Sequence, residues 1–156
     1  MGKLFLFFSL SIATLFTAKS QVISKNAIGL RGNYNNDFRT EITYQSIIGY
    51  TNRLEVNLGL FKQEDDAKYF KATTIFQWVW QLANKLNWHS GFGGGVGNYK
   101  DNSKSKTFTF ATGSVGIEYN FKAPVIMALD YHQEYGFYDV YEGLKSNIGL
   151  SLRYQF

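Results

Sequence analysis

The chain has 156 residues, 45% hydrophobic and 18% aromatic, with 16 basic against 12 acidic side chains and no cysteine. That length suits a single domain, and the absence of Cys excludes disulfides and thiolate metal sites. Removal of a leader carrying Lys3 and Lys19 leaves 14 basic against 12 acidic residues, an excess too small to point to nucleic acid.

The leader is the first element. Lys3 supplies a positive n-region, and Leu4 to Phe16 is an apolar run broken only by Ser and Thr. Ala18-Lys19-Ser20 places small residues where signal peptidase cuts, so residues 1–20 read as a signal peptide and the mature chain as 21–156. The run is too short to span about 30 Å of hydrocarbon as a helix.

Eight alternating runs follow. They are Ala27 to Asn35, Phe38 to Ile48, Arg53 to Lys62, Tyr69 to Leu82, Leu86 to Tyr99, Phe108 to Phe121, Val125 to Tyr135 and Lys145 to Phe156. Successive side chains of a strand point to opposite faces. One face of each run is apolar, as in Leu54, Val56, Leu58 and Leu60, or Ile148, Leu150, Leu152, Tyr154 and Phe156. The other face carries Arg31, Glu41, Glu55, Lys71, Glu118, Asp130, His132, Glu134 and Arg153 among Gly, Asn, Gln and Thr. The connectors at Gly49 to Asn52, Ala83 to Lys85 and Lys122 to Pro124 are short. Those at Lys62 to Lys68, Lys100 to Lys106 and Gly136 to Leu144 are longer and charged or aromatic. Only the turn at Asn35-Asn36-Asp37 breaks this alternation. In the sixth run Phe108 and Phe110 have the opposite parity to Val115, Ile117 and Tyr119. Either a β-bulge resets the register or both rings point inward.

Runs of about ten alternating residues with turns of two lengths are the signature of a transmembrane barrel. The predicted fold is all-β, an eight-stranded antiparallel up-and-down barrel. A soluble barrel of the same strand number would turn its bulky apolar face inward. Eight strands enclose a lumen just wide enough for side chains, and this many large rings would overfill it. The apolar face is therefore assigned to lipid.

Ala27-Ile28-Gly29-Leu30-Arg31-Gly32, Leu129-Asp130-Tyr131 and the closing Leu150-Ser151-Leu152-Arg153-Tyr154-Gln155-Phe156 resemble the small outer-membrane barrels of the OmpX and OmpA-transmembrane-domain class. The resemblance implies export to the cell outer membrane, contact with outer-membrane lipid and lipopolysaccharide, and a C-terminal strand that barrel-assembly machinery reads. Tyr154 and Phe156 would be that assembly signal. The fold by itself does not fix an activity.

Arg31, Glu55, Glu118, Asp130 and Arg153 all fall toward the periplasmic end by strand direction, and are expected to interlock as a polar plug. Guanidinium groups suit this because their planar fork binds carboxylates bidentately. A narrow path for ions or small solutes is the alternative use of the same charges. Gly91, Gly93, Gly95 and Gly97 share the inward face. They either relieve crowding from residues such as Phe61 or leave a small pocket, as for an acyl chain. Two histidines limit enzymology. His89 and Ser90 are neighbours on a strand and face opposite sides, and His132 shares a face with Glu134 but has no Ser two places away. The lipid A deacylases of this shape carry His-x-Ser, which is absent, so no enzyme, cofactor or metal is predicted. A lipid A-modifying enzyme is the remaining alternative, since a Ser on an adjacent strand could still meet His132. Tyr135, Phe137, Tyr138 and Tyr141 crowd the last loop, and Lys100, Lys104 and Lys106 the one before it. Those aromatics form either a membrane-interface girdle or a rim that binds an extracellular ligand. The sequence thus points to a structural or surface-interaction barrel with a closed polar lumen.

Overall fold

The computed structural model describes residues 25–62, 68–101, 104–138 and 141–156. The proposed signal segment and its cleavage site lie outside the described residues. Eight strands run β1 (Asn26–Asn35), β2 (Asp37–Ile47), β3 (Asn52–Lys62), β4 (Lys68–Ala83), β5 (Leu86–Asp101), β6 (Lys104–Asn120), β7 (Val125–Gly136) and β8 (Gly143–Gln155). Each pairs antiparallel with its chain neighbour, and β8 pairs with β1 from Ala27↔Gln155 to Tyr34↔Ile148, closing the barrel. Closure leaves no open sheet edge, the condition for crossing hydrocarbon with strands.

The two faces separate by polarity along every strand. Ile28, Leu30, Ile42, Leu58, Leu129, Leu150 and Leu152 point outward and are exposed. Arg31, Glu41, Glu55, Asn57, Gln77, Glu118, Asp130 and Arg153 point inward and are buried. The outward rings cover one another, with Trp80 stacked on its cross-strand partner Trp88 at 4.4 Å and Phe76 edge-on to Trp78 at 4.9 Å. Polar groups on the outer wall pair among themselves toward the strand ends. The Tyr44 hydroxyl donates to Asn26 at 2.9 Å near the termini, and Asn98 donates to Ser105 and Thr107 at 3.1 and 3.0 Å at the opposite end. Such amphipathic groups belong where hydrocarbon meets water.

The parity conflict in β6 resolves without a bulge. β6 keeps an unbroken register with β5 from Leu86↔Tyr119 to Asp101↔Lys104, and Phe108 and Phe110 are buried inside the barrel. The register irregularity of the described ladder lies instead at Gln81/Ala83, beside the β4–β5 turn. The charged segment Lys100 to Lys106, read from sequence as a loop, continues the β5–β6 ladder through Lys100↔Ser105. Charged side chains beyond the apolar belt hide a strand whose backbone pairing goes on above it.

Candidate functional site: the lumen and its mouth

The lumen is filled in layers. At the end where β1 begins and β8 finishes, Val79 and Ile126 meet with Ile47 against them, an apolar floor inside the barrel. Above it lies the densest polar cluster. Arg153 donates from Nη2 to Glu55 Oε2 at 3.0 Å and from Nε to the Thr43 hydroxyl at 3.1 Å. Glu55 also accepts from Gln45 at 2.7 Å, Asn57 at 2.9 Å and Gln77 at 3.3 Å. Arg53 donates from Nη1 to Glu118 at 2.6 Å and from Nε to Gln77 at 2.6 Å. Asn87 donates to the other Glu118 oxygen at 3.3 Å.

The next layer is centred on Arg31. Its Nε donates to Asp130 Oδ1 at 3.1 Å and Nη2 reaches the same oxygen, while Nη1 donates to Glu41 at 3.3 Å. His132 Nε2 stands 3.1 Å from Asp130 Oδ1. Gly149 makes the space for this guanidinium, since a Cβ there would lie 2.4 Å from Arg31 Nη2. Asn147 ties this layer to the one above, accepting from Arg31 and donating to Glu134. There Lys71 Nζ donates to both Glu134 oxygens at 2.6 and 2.8 Å, and the Tyr141 hydroxyl donates to the same carboxylate. Burial, then the neighbouring Glu134 carboxylate, raises the Tyr141 phenol above its ordinary value and keeps it a donor.

Four of these ion pairs join strands that are not neighbours in the wall. Arg153–Glu55 links β8 to β3, Arg53–Glu118 links β3 to β6, Arg31–Asp130 links β1 to β7 and Lys71–Glu134 links β4 to β7. The five residues singled out in the sequence fall in two adjacent layers, Glu55, Glu118 and Arg153 in the lower and Arg31 with Asp130 in the upper. Arg153 meets Glu55, Arg31 meets Asp130 one layer higher, and Glu118 meets Arg53. Strand tilt and stagger separate residues that a simple strand count puts at one depth. Arg53 shares the parity of Glu55, and that parity was the available signal. Its place beside a turn made it read as a strand boundary.

An aromatic layer covers the charges at the other end. Phe108 stacks on Tyr141 at 4.6 Å and on Tyr69 at 5.4 Å, with Phe110 tilted against Tyr141 at 5.4 Å. Gly95 and Gly97 sit beneath these rings. A Cβ would lie 2.3 Å from Phe110 Cζ at Gly95 and 2.0 Å from Phe108 Cζ at Gly97. The glycine row thus yields its volume to Phe108 and Phe110 and holds no acyl pocket at these positions. Phe61 lies instead over Gly59.

The four aromatics around the β7–β8 connection part company, Tyr135 closing β7 rather than lying in the loop. Tyr135 and Phe137 are exposed and pack edge-on at 5.5 Å, Tyr138 is exposed, and Tyr141 turns into the barrel. Gly136 permits that turn, because a Cβ there would collide with the Tyr141 carbonyl oxygen. Lys104 opens β6 and Lys106 pairs with Tyr99, so neither belongs to a free loop.

Among the described residues neither Ser90 nor Ser114 is hydrogen-bonded to a histidine. Ser90 lies outside the buried set while His89 is fully inside. Ser114 is the register partner of His132 on the adjacent strand and shares its inward face, yet its hydroxyl makes no hydrogen bond. Among the described residues no group of three or more His, Cys, Asp or Glu is arranged to hold a metal ion.

Above the aromatic layer the barrel opens into a cavity of about 1000 Å³. Its walls include Asn35, Arg39, Phe61, Tyr69, Tyr99 and Lys145, with Tyr141 also contributing. Sequence periodicity placed none of these at a site except Tyr141.

No family model matches the sequence, and no curated protein matches it. Solved structures do match. The N-terminal β-barrel domain of Pseudomonas aeruginosa OprF aligns with a TM-score of 0.71 at 13% identity, over 87% of this chain and 100% of that one. Neisserial surface protein A aligns at 0.64 and 11% identity, over 87% and 100%. Ail, the attachment invasion locus protein of Yersinia pestis, aligns at 0.56 and 13% identity, over 85% and 97%, and is also solved in complex with the heparin analogue sucrose octasulfate. At these identities the likeness is one of fold: the chain is a closed, eight-stranded, antiparallel up-and-down barrel of the kind built by small outer-membrane proteins.

Proposed function

We propose that this protein is an outer-membrane barrel with a closed lumen and a structural or surface-interaction, adhesion-like role, with no catalytic activity. The supporting observation is the set of ion pairs that cross the lumen between non-adjacent strands, sealed by the Val79–Ile126 floor and the Phe108–Tyr141 layer. Eight strands leave little room beyond such side chains. What remains available to another molecule is the outer wall, facing lipid and lipopolysaccharide, and the extracellular mouth, facing an unidentified extracellular ligand. That Ail is solved with a heparin analogue supports a ligand-binding use of this architecture. In planar bilayers the folded protein is expected to show no steady conductance. Large, sustained currents would instead establish a conductor.

The closing strand is proposed to carry the assembly signal. Phe156 exchanges backbone hydrogen bonds with Asn26 at 3.0 and 3.2 Å, and its ring points outward next to the exposed Tyr154. Deleting Phe156 is expected to cut the heat-modifiable outer-membrane band sharply, while the full chain matures near Gln21 and partitions to that membrane. A full-length product left soluble in the periplasm would refute this location.

A further inference from the structure

We infer that the cavity at the mouth is a binding site for a soluble anionic saccharide, one carrying sulfate or phosphate esters. This rests on the surface-interaction reading and assigns it a place and a ligand class. The site is the upper lumen itself rather than the loop tips.

Arg39 and Lys145 face the cavity, which is also lined by Lys62 and by one carboxylate, Asp37. Arg39 is held over the rings of Phe61 and Tyr69, with its carbon 5.4 and 5.5 Å from their centroids. Its side chain is 39% exposed and makes one long, solvent-screened ion pair, from Nη2 to Asp37 Oδ2 at 3.9 Å, which leaves the rest of the guanidinium fork open. Lys145 lies 4.4 Å from the Tyr141 ring centroid and makes no ion pair among the described residues. The layer below does not cancel this charge, because Lys71 already neutralises Glu134. Both cations are thus oriented by aromatic faces and keep N–H donors for a ligand. A guanidinium fork is matched to the oxygens of a sulfate or phosphate ester.

The cavity's size and walls choose between a bare oxyanion and a sugar. About 1000 Å³ is far more than a sulfate or phosphate ion fills, and falls in the range of sites for larger ligands. Tyr99, with the ring edges of Phe61 and Tyr69, gives the cavity an aromatic wall for the C–H groups of a sugar, and Asn35 offers an amide to its hydroxyls. Opening along the barrel axis also selects the source. Lipopolysaccharide phosphates lie beside the outer wall, whereas this cavity is reached from the medium.

The test uses the full mature chain folded in detergent micelles. A trisulfated heparin disaccharide is titrated by calorimetry, with its fully desulfated counterpart and inorganic sulfate in parallel. The sulfated disaccharide is expected to bind, and each of the other two to bind about tenfold or more weaker. Arg39→Gln and Lys145→Gln are each expected to weaken binding by about tenfold. Both variants must retain the heat-modifiable mobility of a folded barrel. Lys100→Gln with Lys104→Gln and Lys106→Gln removes three charges from the β5–β6 hairpin, more than either cavity variant, and is expected to leave affinity within about threefold. Unchanged affinity in folded Arg39→Gln/Lys145→Gln, or loss only in the hairpin variant, would overturn the cavity assignment while leaving a surface-interaction role intact. No binding by the wild-type chain would overturn it as well. Equal affinity for inorganic sulfate would reduce the site to an anion hole and refute the saccharide.

Discussion

Arg153→Ala is expected to lower the unfolding free energy by about 3–5 kcal/mol, because it strands Glu55 as a buried carboxylate without its cation. The loss should exceed that of one hydrogen bond. The same guanidinium also caps Thr43, and both residues are almost fully buried. Adding Glu55→Ala is expected to recover part of the loss, since the uncompensated charge is then gone. Recovery stays incomplete, because Gln45, Asn57 and Gln77 each lose an acceptor when Glu55 is truncated. Glu118→Ala supplies the contrast. Glu118 is paired with Arg53, so combining it with Arg153→Ala should recover little and strand a second ion. Denaturant titrations of the folded barrel in micelles give the two coupling energies. Stronger coupling of Arg153 to Glu118 than to Glu55 would contradict the pairing.

The distinction between those partners shows where sequence reading stops. Parity is a local property, and the period of two in Leu54 to Leu60 or Ile148 to Phe156 is written in the chain itself. That is why all eight strands, their faces and the closed fold were legible. Partnership across the lumen depends on stagger, which no single strand encodes. Arg31, Glu55, Glu118, Asp130 and Arg153 were correctly placed on one face, but who meets whom could not be read. Tyr141 was legible as an aromatic and not as an inward one, because a residue between two strands has no parity. The mouth cavity was less visible still. Arg39, Phe61, Tyr69, Tyr99 and Lys145 come from five strands and converge only when the barrel closes.

The aromatic layer makes a sharper claim about volume. Gly97→Ala is expected to destabilise by about 1–3 kcal/mol, as overpacking of a filled interior does. The added methyl would sit 2.0 Å from Phe108 Cζ and 2.6 Å from Cε1. The ring cannot swing clear, because Phe108 is fully buried between Tyr69 and Tyr141. Nor can the strand give way easily, since β5 is hydrogen-bonded on both sides at this height, Gly97 pairing with Lys71 and with Phe108. A compensating loss of volume should repair it. Phe108→Leu with Gly97→Ala is expected to be more stable than the sum of the two single changes predicts, by about 1 kcal/mol. Gly113→Ala is the control for an alanine placed in a β6 glycine position. It lies on the outer face, where the nearest atom to a new Cβ is 4.0 Å away, and should change stability by about 0.5 kcal/mol or less. The argument turns on direction as well as distance. If Gly113→Ala costs as much as Gly97→Ala, backbone propensity rather than the Phe108 ring explains the inward glycines. If Gly97→Ala alone is costly and Phe108→Leu rescues it, the parity break in β6 and the glycine row in β5 are one feature. The two strands then exchange volume so that a pair of rings can close the lumen from within.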